Sequence, residues 1–234
     1  MEEQIIEKNT RTVRFSDAPW YTPGYPVLVI GAGGIGSWLS FLLARQDLDI
    51  TVYDFDNVDH TNFGGQLYNT QSLNQKKVTV LSKIIKDFSN ITINTYSTAY
   101  TKDDMAYPIM FAALDNIETR RIMYENWITN IIKNPKFDNK ACLFIDGRLL
   151  AESGKIFILD RNNYKDYEQY LYDDSSIKEQ PCSFKATSHS AAIIAGIMVS
   201  CFNNYITNVL ENMKIREVPF LIEFDLPLMS FENK

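Results

Sequence analysis

An α/β architecture built on a doubly wound, mostly parallel sheet is the fold class this sequence predicts. Three observations predict it. A glycine turn sits between an apolar strand and an apolar helix in residues 27–56, VLVIGAGGIGSWLSFLLARQDLDITVYDFD; strand-length apolar runs then alternate with helical periodicity; and a further apolar run, 109–114, ends on Asp115 and Asn116. Taken in order, residues 27–30 read as a buried parallel strand, and the helix opening near Gly36 packs on the sheet through Trp38, Leu39, Phe41 and Leu42. Residues 50–53 form a second strand. A polar connection over 57–74 leads to an amphipathic helix near 76–88, with Val78, Leu81, Ile84 and Ile85 turned inward. Residues 91–96 and 109–114 read as two more strands, and 117–132 returns to helical periodicity. Two further strands, 142–146 and 155–159, are separated by 147–154. A tyrosine-rich crossover spans 162–184, a buried helix with Ala191, Ala192, Ala195 and Gly196 spans 188–210, and 219–224 reads as a last strand. The expected organisation is a single domain over 1–234: an extension (1–26), a nucleotide-binding half (27–135) and a substrate and dimer half (136–234).

At 234 residues, with 45% of them apolar, the chain can fill the core of one large domain. Its net charge is −6 and its 23 basic residues are scattered, so no nucleic acid is expected as a partner. No membrane partner is expected either: residues 1–12 have no apolar core and the apolar stretch 191–202 is too short to span a bilayer, so the expected localisation is cytoplasmic. Cys142, Cys182 and Cys201 form no C-x-x-C pair, which argues against a zinc knuckle and against a disulfide framework.

The chemistry concentrates in the first unit. Gly31, Gly33 and Gly36 make a G-x-G-x-x-G turn, loosened by Gly34, whose backbone N–H groups approach a phosphate. The following helix aims its positive end at that anion and Ser37 adds a hydroxyl donor, so phosphate binding needs no basic residue here. Asp54 stands 18 residues after Gly36, close to the spacing at which an acid accepts from ribose hydroxyls. The unit is Rossmann-like and points to an adenosine nucleotide. A dehydrogenase would own the same signals.

The next residues are more specific. Asp54-Phe55-Asp56-Asn57-Val58, then Asn62, Gln66 and Lys77, and finally Leu114-Asp115-Asn116-Ile117-Glu118-Thr119-Arg120 together resemble the ThiF/MoeB superfamily, enzymes that activate ubiquitin-like proteins. The resemblance runs from about 27 to 204 and implies a ThiF/MoeB-type C-terminal elaboration. It also implies ATP and Mg2+ as cofactors, a homodimer, and as partner a ubiquitin-like protein or peptide with a C-terminal glycine. Carried over by residue, Gly31, Gly33, Gly34, Gly36 and Ser37 line the nucleotide, and Asp54, with Asp56 beside it, holds the ribose. Asn62, Gln66 and Lys77 sit by the triphosphate, and Asp115 is the metal ligand. A carboxylate attacking the α-phosphate sets anion against anion, and Lys77 with an Asp115-bound Mg2+ supplies the opposing charge.

One departure stands out. The family commonly places an arginine where this chain has Gly65; the expected substitutes are Lys76, beside Lys77, or Arg11 with Arg14, whose R-x-x-R spacing resembles the family's N-terminal pair supplied across a dimer interface. Cys182 lies before the small-residue helix at the spacing of the family's reactive cysteine; it is the candidate acyl acceptor, with Lys185 favouring the thiolate and an inert thiol as the alternative. Cys142 and Cys201 read as core, and His60 and His189 as caps or surface residues. Arg120 is expected to form a surface pair with Glu118 or Asp115, and Arg148 either to meet a substrate carboxylate or to pair with Glu152. The expected activity is ATP-dependent adenylation of a C-terminal carboxylate. Its rivals are a catalytically silent nucleotide-binding scaffold and an NAD-dependent oxidoreductase.

Overall fold

A computed structural model describes residues 12–136, 141–171 and 187–234. Its elements are β1 (Pro26–Ile30), α1 (Gly34–Ala44), β2 (Asp49–Tyr53), α2 (Lys77–Ser89), β3 (Asn94–Tyr96), β4 (Ile109–Ala112) and α3 (Ile117–Trp127). They continue with β5 (Leu143–Leu150), β6 (Ser153–Leu159), α4 (Ser188–Glu211), β7 (Leu221–Asp225) and β8 (Ser230–Asn233). Eight strands form one sheet in the order β3-β2-β1-β4-β5-β6-β7-β8. From β3 to β5 every pairing is parallel; β6, β7 and β8 continue the sheet antiparallel.

The two faces of β1 explain its unbroken apolar sequence. Val27 and Val29 join the core under α1, α2 and α4, whereas Leu28 and Ile30 join a second core under α3 and the short helical turn Tyr164–Tyr170. Helix α1 buries Ile35, Leu39 and Leu43 completely or nearly so, while Trp38, Phe41 and Leu42 are only partly buried, so three of the four expected packing residues sit at the edge of the contact. Helix α2 buries Val78, Leu81 and Ile85 as its periodicity requires.

Three elements differ from expectation. Strand β5 runs on through Gly147 to Leu150 and turns back after Ala151 (φ 53°) and Glu152, so residues expected to be a loop form a long hairpin with β6. Strand β8 is exposed at all four positions, which leaves no apolar alternation by which to find it. Helix α4 has 24 residues, within one of the 188–210 expected, but its apolar character extends beyond 191–202: by length and composition it is apolar enough to cross a bilayer, and half of that apolar window is buried within the protein.

The chain leaves β1 toward β2 and leaves β4 toward β5, with α1 and α3 on opposite faces. The carboxyl ends of β1 and β4 therefore splay apart, and a crevice opens at the point where the strand order reverses.

Candidate functional site

A cleft of about 1150 Å3 occupies that switch point. The glycine turn forms its edge for reasons visible atom by atom. Gly31 has φ +95°, and a Cβ there would stand 2.3 Å from the Ala113 carbonyl oxygen; a Cβ on Gly36 would stand 1.8 Å from the Gly31 oxygen. These two glycines let strand, turn and helix touch. Gly33 is different: its Cβ would meet nothing nearer than Gln66 Nε2 at 4.0 Å, so protein packing does not require glycine there. It borders the cleft, where an approaching ligand would require it. Helix α1 also starts without a capping side chain or an acid in its first turn, leaving its N–H groups to an anion.

Asp54 locks the turn rather than standing free. Its Oδ2 accepts from Ala32 N at 2.7 Å and its Oδ1 from Asp56 N at 2.8 Å. Burial raises its pKa, against these N–H donors and Lys77, which lower it. Tyr68 Oη donates to the Ala32 carbonyl at 2.6 Å, so both polar groups of Ala32 are fixed, by a tyrosine that the sequence reading did not single out. Beyond Asp54 the cleft has an apolar end made by Ile30, Tyr53, Ala99, Tyr100, Leu114 and Ile117, suited to a flat base.

Lys77 is 6% exposed and its Nζ donates to Asp56 Oδ2 at 2.9 Å. A buried cation in the first turn of a helix opposes the helix dipole, and Asp56, half exposed, offsets only part of that cost. A solvated surface lysine would show neither feature. Asn62 Oδ1 accepts from Asp59 N at 2.8 Å, and Gln66 Oε1 is buried with no hydrogen-bond partner. Both residues line the cleft. Asn116, not Asp115, caps helix α3, its side chain accepting from Thr119 N at 2.8 Å. The exposed Asp115 carboxylate is left at the cleft wall without a side-chain partner among the described residues.

Of the expected nucleotide residues, Gly31, Gly33, Gly34, Asp54, Asp56, Asn62, Gln66, Lys77 and Asp115 line the cleft together. Gly36 and Ser37 do not. The Ser37 hydroxyl is fully buried, donates to Gly34 O at 3.3 Å and accepts from Leu67 N at 3.1 Å, so it braces the 62–68 connection and cannot also serve a phosphate. Cys182 and Lys185 lie outside the described residues, as does Arg11.

Arg120 and Arg148 correct two expectations. Arg120 is 4% exposed and pairs not with Glu118 or Asp115 but with Asp146, Nε to Oδ1 at 2.7 Å. Arg148 Nε binds the other oxygen of Asp146 at 2.6 Å and its guanidinium lies over the Phe157 ring; Glu152 pairs instead with His189 at 3.2 Å. Burial alone would raise the Asp146 pKa, but the two guanidiniums prevail and hold it below the usual carboxylate range. The sequence offered one signal for this cluster, an acid and an arginine two apart on one strand face in Asp146-Gly147-Arg148.

The family model for the ThiF family matches residues 25–234. The chain belongs to the ThiF family. A curated relative, the tRNA threonylcarbamoyladenosine dehydratase of Haemophilus influenzae, is 28% identical over 103 residues, a segment that spans 40% of this chain and 40% of that protein. Among solved structures, selenomethionine PaaA superposes with a TM-score of 0.71 at 16% identity, over all of this chain and 74% of that one. The E. coli tRNA N6-threonylcarbamoyladenosine dehydratase TcdA, in complex with AMP, gives 0.66 at 16% identity over 88% and 95%. E. coli MccB with ATP gives 0.62 at 14% over 98% and 66%, and MccB has also been crystallised with AMPCPP and MccA. At such identities the superpositions speak for the shared fold.

Within this ThiF-family cleft the residues fit a nucleotide and one divalent cation. The turn leaves room at Gly33, Gln66 presents an unpartnered oxygen, and Asp115 supplies one free carboxylate. No group of three or more acidic, histidine or cysteine side chains clusters among the described residues; Mg2+ fits such a site because it takes one or two carboxylates and completes its shell with phosphates and water. Lys76 does not take the place of the arginine missing at Gly65: its Nζ donates to Phe55 O at 2.7 Å and it does not line the cleft, while Arg14, expected to act across a dimer interface, is exposed. Among the described residues, Lys77, Arg120, Arg148 and Lys155 are the cations that line it.

Proposed function

We propose that this ThiF-family protein is an ATP-dependent adenylyltransferase that activates the C-terminal carboxylate of a ubiquitin-like protein or of a peptide ending in glycine. The observation that carries this reading is the union, in one cleft, of a ligand-accommodating glycine turn, a buried lysine and a free carboxylate at Asp115. A dehydrogenase needs the first of these but has no use for the last two beside its phosphates. Asp54 and the apolar end would hold the nucleoside, the backbone of the turn the phosphates, and Lys77 the charge that builds up during transfer. Mg2+ held by Asp115 supplies neutralisation of the departing pyrophosphate. A carboxylate oxygen bonds to the α-phosphorus, the bond to the bridging oxygen breaks, and pyrophosphate leaves with its electron pair.

The cleft lining continues past Arg148 to Leu149 and Leu150 on β5, Lys155 on β6 and Glu223 on β7, where a peptide tail would lie. Cys182 would then accept the acyl group as a thioester, with AMP released. A homodimer is supported by helix α4, whose apolar window is only half covered within one chain. Dependence on ATP supports a cytoplasmic setting. The curated relative is named for a tRNA nucleoside, but a chain of net charge −6 with scattered basic residues offers a tRNA backbone little hold, which favours the peptide. ATP–pyrophosphate exchange with a panel of glycine-ended peptides and ubiquitin-like proteins tests the reading. Exchange that Asp115→Ala abolishes is the expected result; ATP binding without exchange for any candidate would favour the scaffold, and binding of NAD in place of ATP the oxidoreductase.

A further inference from the structure

Arg120 bonds the chain on both sides of Asp115. Its Nη1 donates to the Asn116 carbonyl at 3.4 Å and its Nη2 to the Leu114 carbonyl, the two residues that flank Asp115. Nη2 also reaches the Gly147 carbonyl at 3.3 Å, and Nε is fixed on Asp146. One planar fork thus ties the β4–α3 loop to the end of β5 on both sides of a single residue. Asp146 cannot swing away, being wholly buried and held at its second oxygen by Arg148 and by Tyr167 Oη at 2.7 Å. Asp115 has no tether of its own among the described residues, so its place in the cleft is set by its backbone, and its backbone is set by Arg120.

We infer that Arg120, seated on Asp146, is a positioning residue for the divalent cation: it fixes the loop that presents Asp115, so the metal meets a preorganised carboxylate. The inference rests on the proposed role of Asp115 as metal ligand. A guanidinium only 4% exposed must place its donors on acceptors inside the protein. Here those donors go to the two carbonyls that determine where Asp115 stands.

The test is calorimetric binding of ATP over a range of free Mg2+, and in EDTA, for Arg120→Lys, Asp146→Asn, Tyr205→Phe and Asp115→Ala beside the parent. Lysine keeps the charge but has one nitrogen, which cannot bond both carbonyls and Asp146. The free Mg2+ that half-saturates binding is expected to rise by roughly tenfold or more in Arg120→Lys and Asp146→Asn, the usual effect of losing a group that orients a metal ligand. Binding in EDTA should not change. Tyr205→Phe is the control: it removes the hydroxyl that bonds both backbone groups of Cys142, outside the cleft, so it melts below the parent yet keeps the parent's Mg2+ requirement, because Arg120, Asp146 and their partners are untouched. Arg120→Lys that melts lower without any change in Mg2+ requirement overturns the inference, and if that variant does not fold, Asp146→Asn decides by the same criterion. Should Asp115→Ala raise the Mg2+ requirement while Arg120→Lys and Asp146→Asn do not, only the positioning role falls. Should Asp115→Ala leave it unchanged, the reading of Asp115 falls first.

Discussion

Two glycines two residues apart should answer to the same substitution in opposite ways. An alanine at Gly31 must accept φ +95° and a Cβ 2.3 Å from a backbone oxygen, which moves only if strand β4 moves with it. Positive φ costs about 1–2 kcal/mol and overpacking against a fixed neighbour about 1–3, together roughly 2–5 kcal/mol, or about 4–20 °C in Tm for a chain of this size. An alanine at Gly33 has φ −80° and open space to 4.0 Å, so its cost stays under about 1 kcal/mol, the preference of an N-cap for glycine over alanine. Its methyl nevertheless enters the cleft where a phosphate would lie. Thermal unfolding with and without MgATP separates the cases. At about 100 times Kd a ligand adds about 2.7 kcal/mol, which is roughly 5–11 °C here. Gly33→Ala should melt near the parent without nucleotide and lose that shift; Gly31→Ala should melt far lower in both conditions. A Gly33→Ala protein that keeps the full MgATP shift would refute the argument that the open space is for phosphate.

Lys77→Met keeps the buried stem and removes the charge: folding should hold within a few degrees by circular dichroism, while pyrophosphate exchange falls by about 10²–10³-fold, as for loss of one charged transition-state contact. Asp146→Asn breaks a buried pair and should cost about 3–5 kcal/mol at neutral pH in urea unfolding. Because the folded pKa of Asp146 lies below its unfolded value, its contribution is complete above about pH 4 and is lost as pH falls through the folded pKa. The acid limb of the stability curve should therefore be shallower in Asp146→Asn, and an unchanged limb would count against the pairing. Tyr68→Phe deletes the donor to Ala32 O and should weaken ATP binding with a stability loss of about 1–3 kcal/mol, the cost of an unsatisfied buried carbonyl. Burial pushes the Cys201 thiol up to about 12 and raises that of Cys142, so at pH 8 iodoacetamide should leave both unmodified in the native protein by peptide mass mapping.

The nucleotide half was legible because its signals are local. Gly36 is dictated by its contact with Gly31 in the same βαβ unit, and Val27 through Ile30 can be apolar at every position only if both faces are covered. The roles that misled are those whose partner lies elsewhere in the chain. Ser37 reads as a phosphate donor until Leu67 N, thirty residues on, fixes its oxygen and leaves its O–H on the Gly34 carbonyl. Arg120 reads as a surface cation until β5 brings Asp146 beneath it, and Lys76 reads as a spare charge until Phe55 accepts from it. Strand β8 leaves no periodic mark because all four of its residues are exposed.

By itself the chain determines the strand–turn–helix grammar, the family, and the identity of the acids and the lysine that reach the cleft, since these follow from spacing along a backbone of fixed geometry. Tertiary structure alone decides which of those groups remain available to a ligand. A hydrogen-bonding group has only so many donors and lone pairs, and whether a distant residue has already claimed them is a matter of three-dimensional proximity: claimed at Ser37 and Arg120, unclaimed at Gln66 and Asp115.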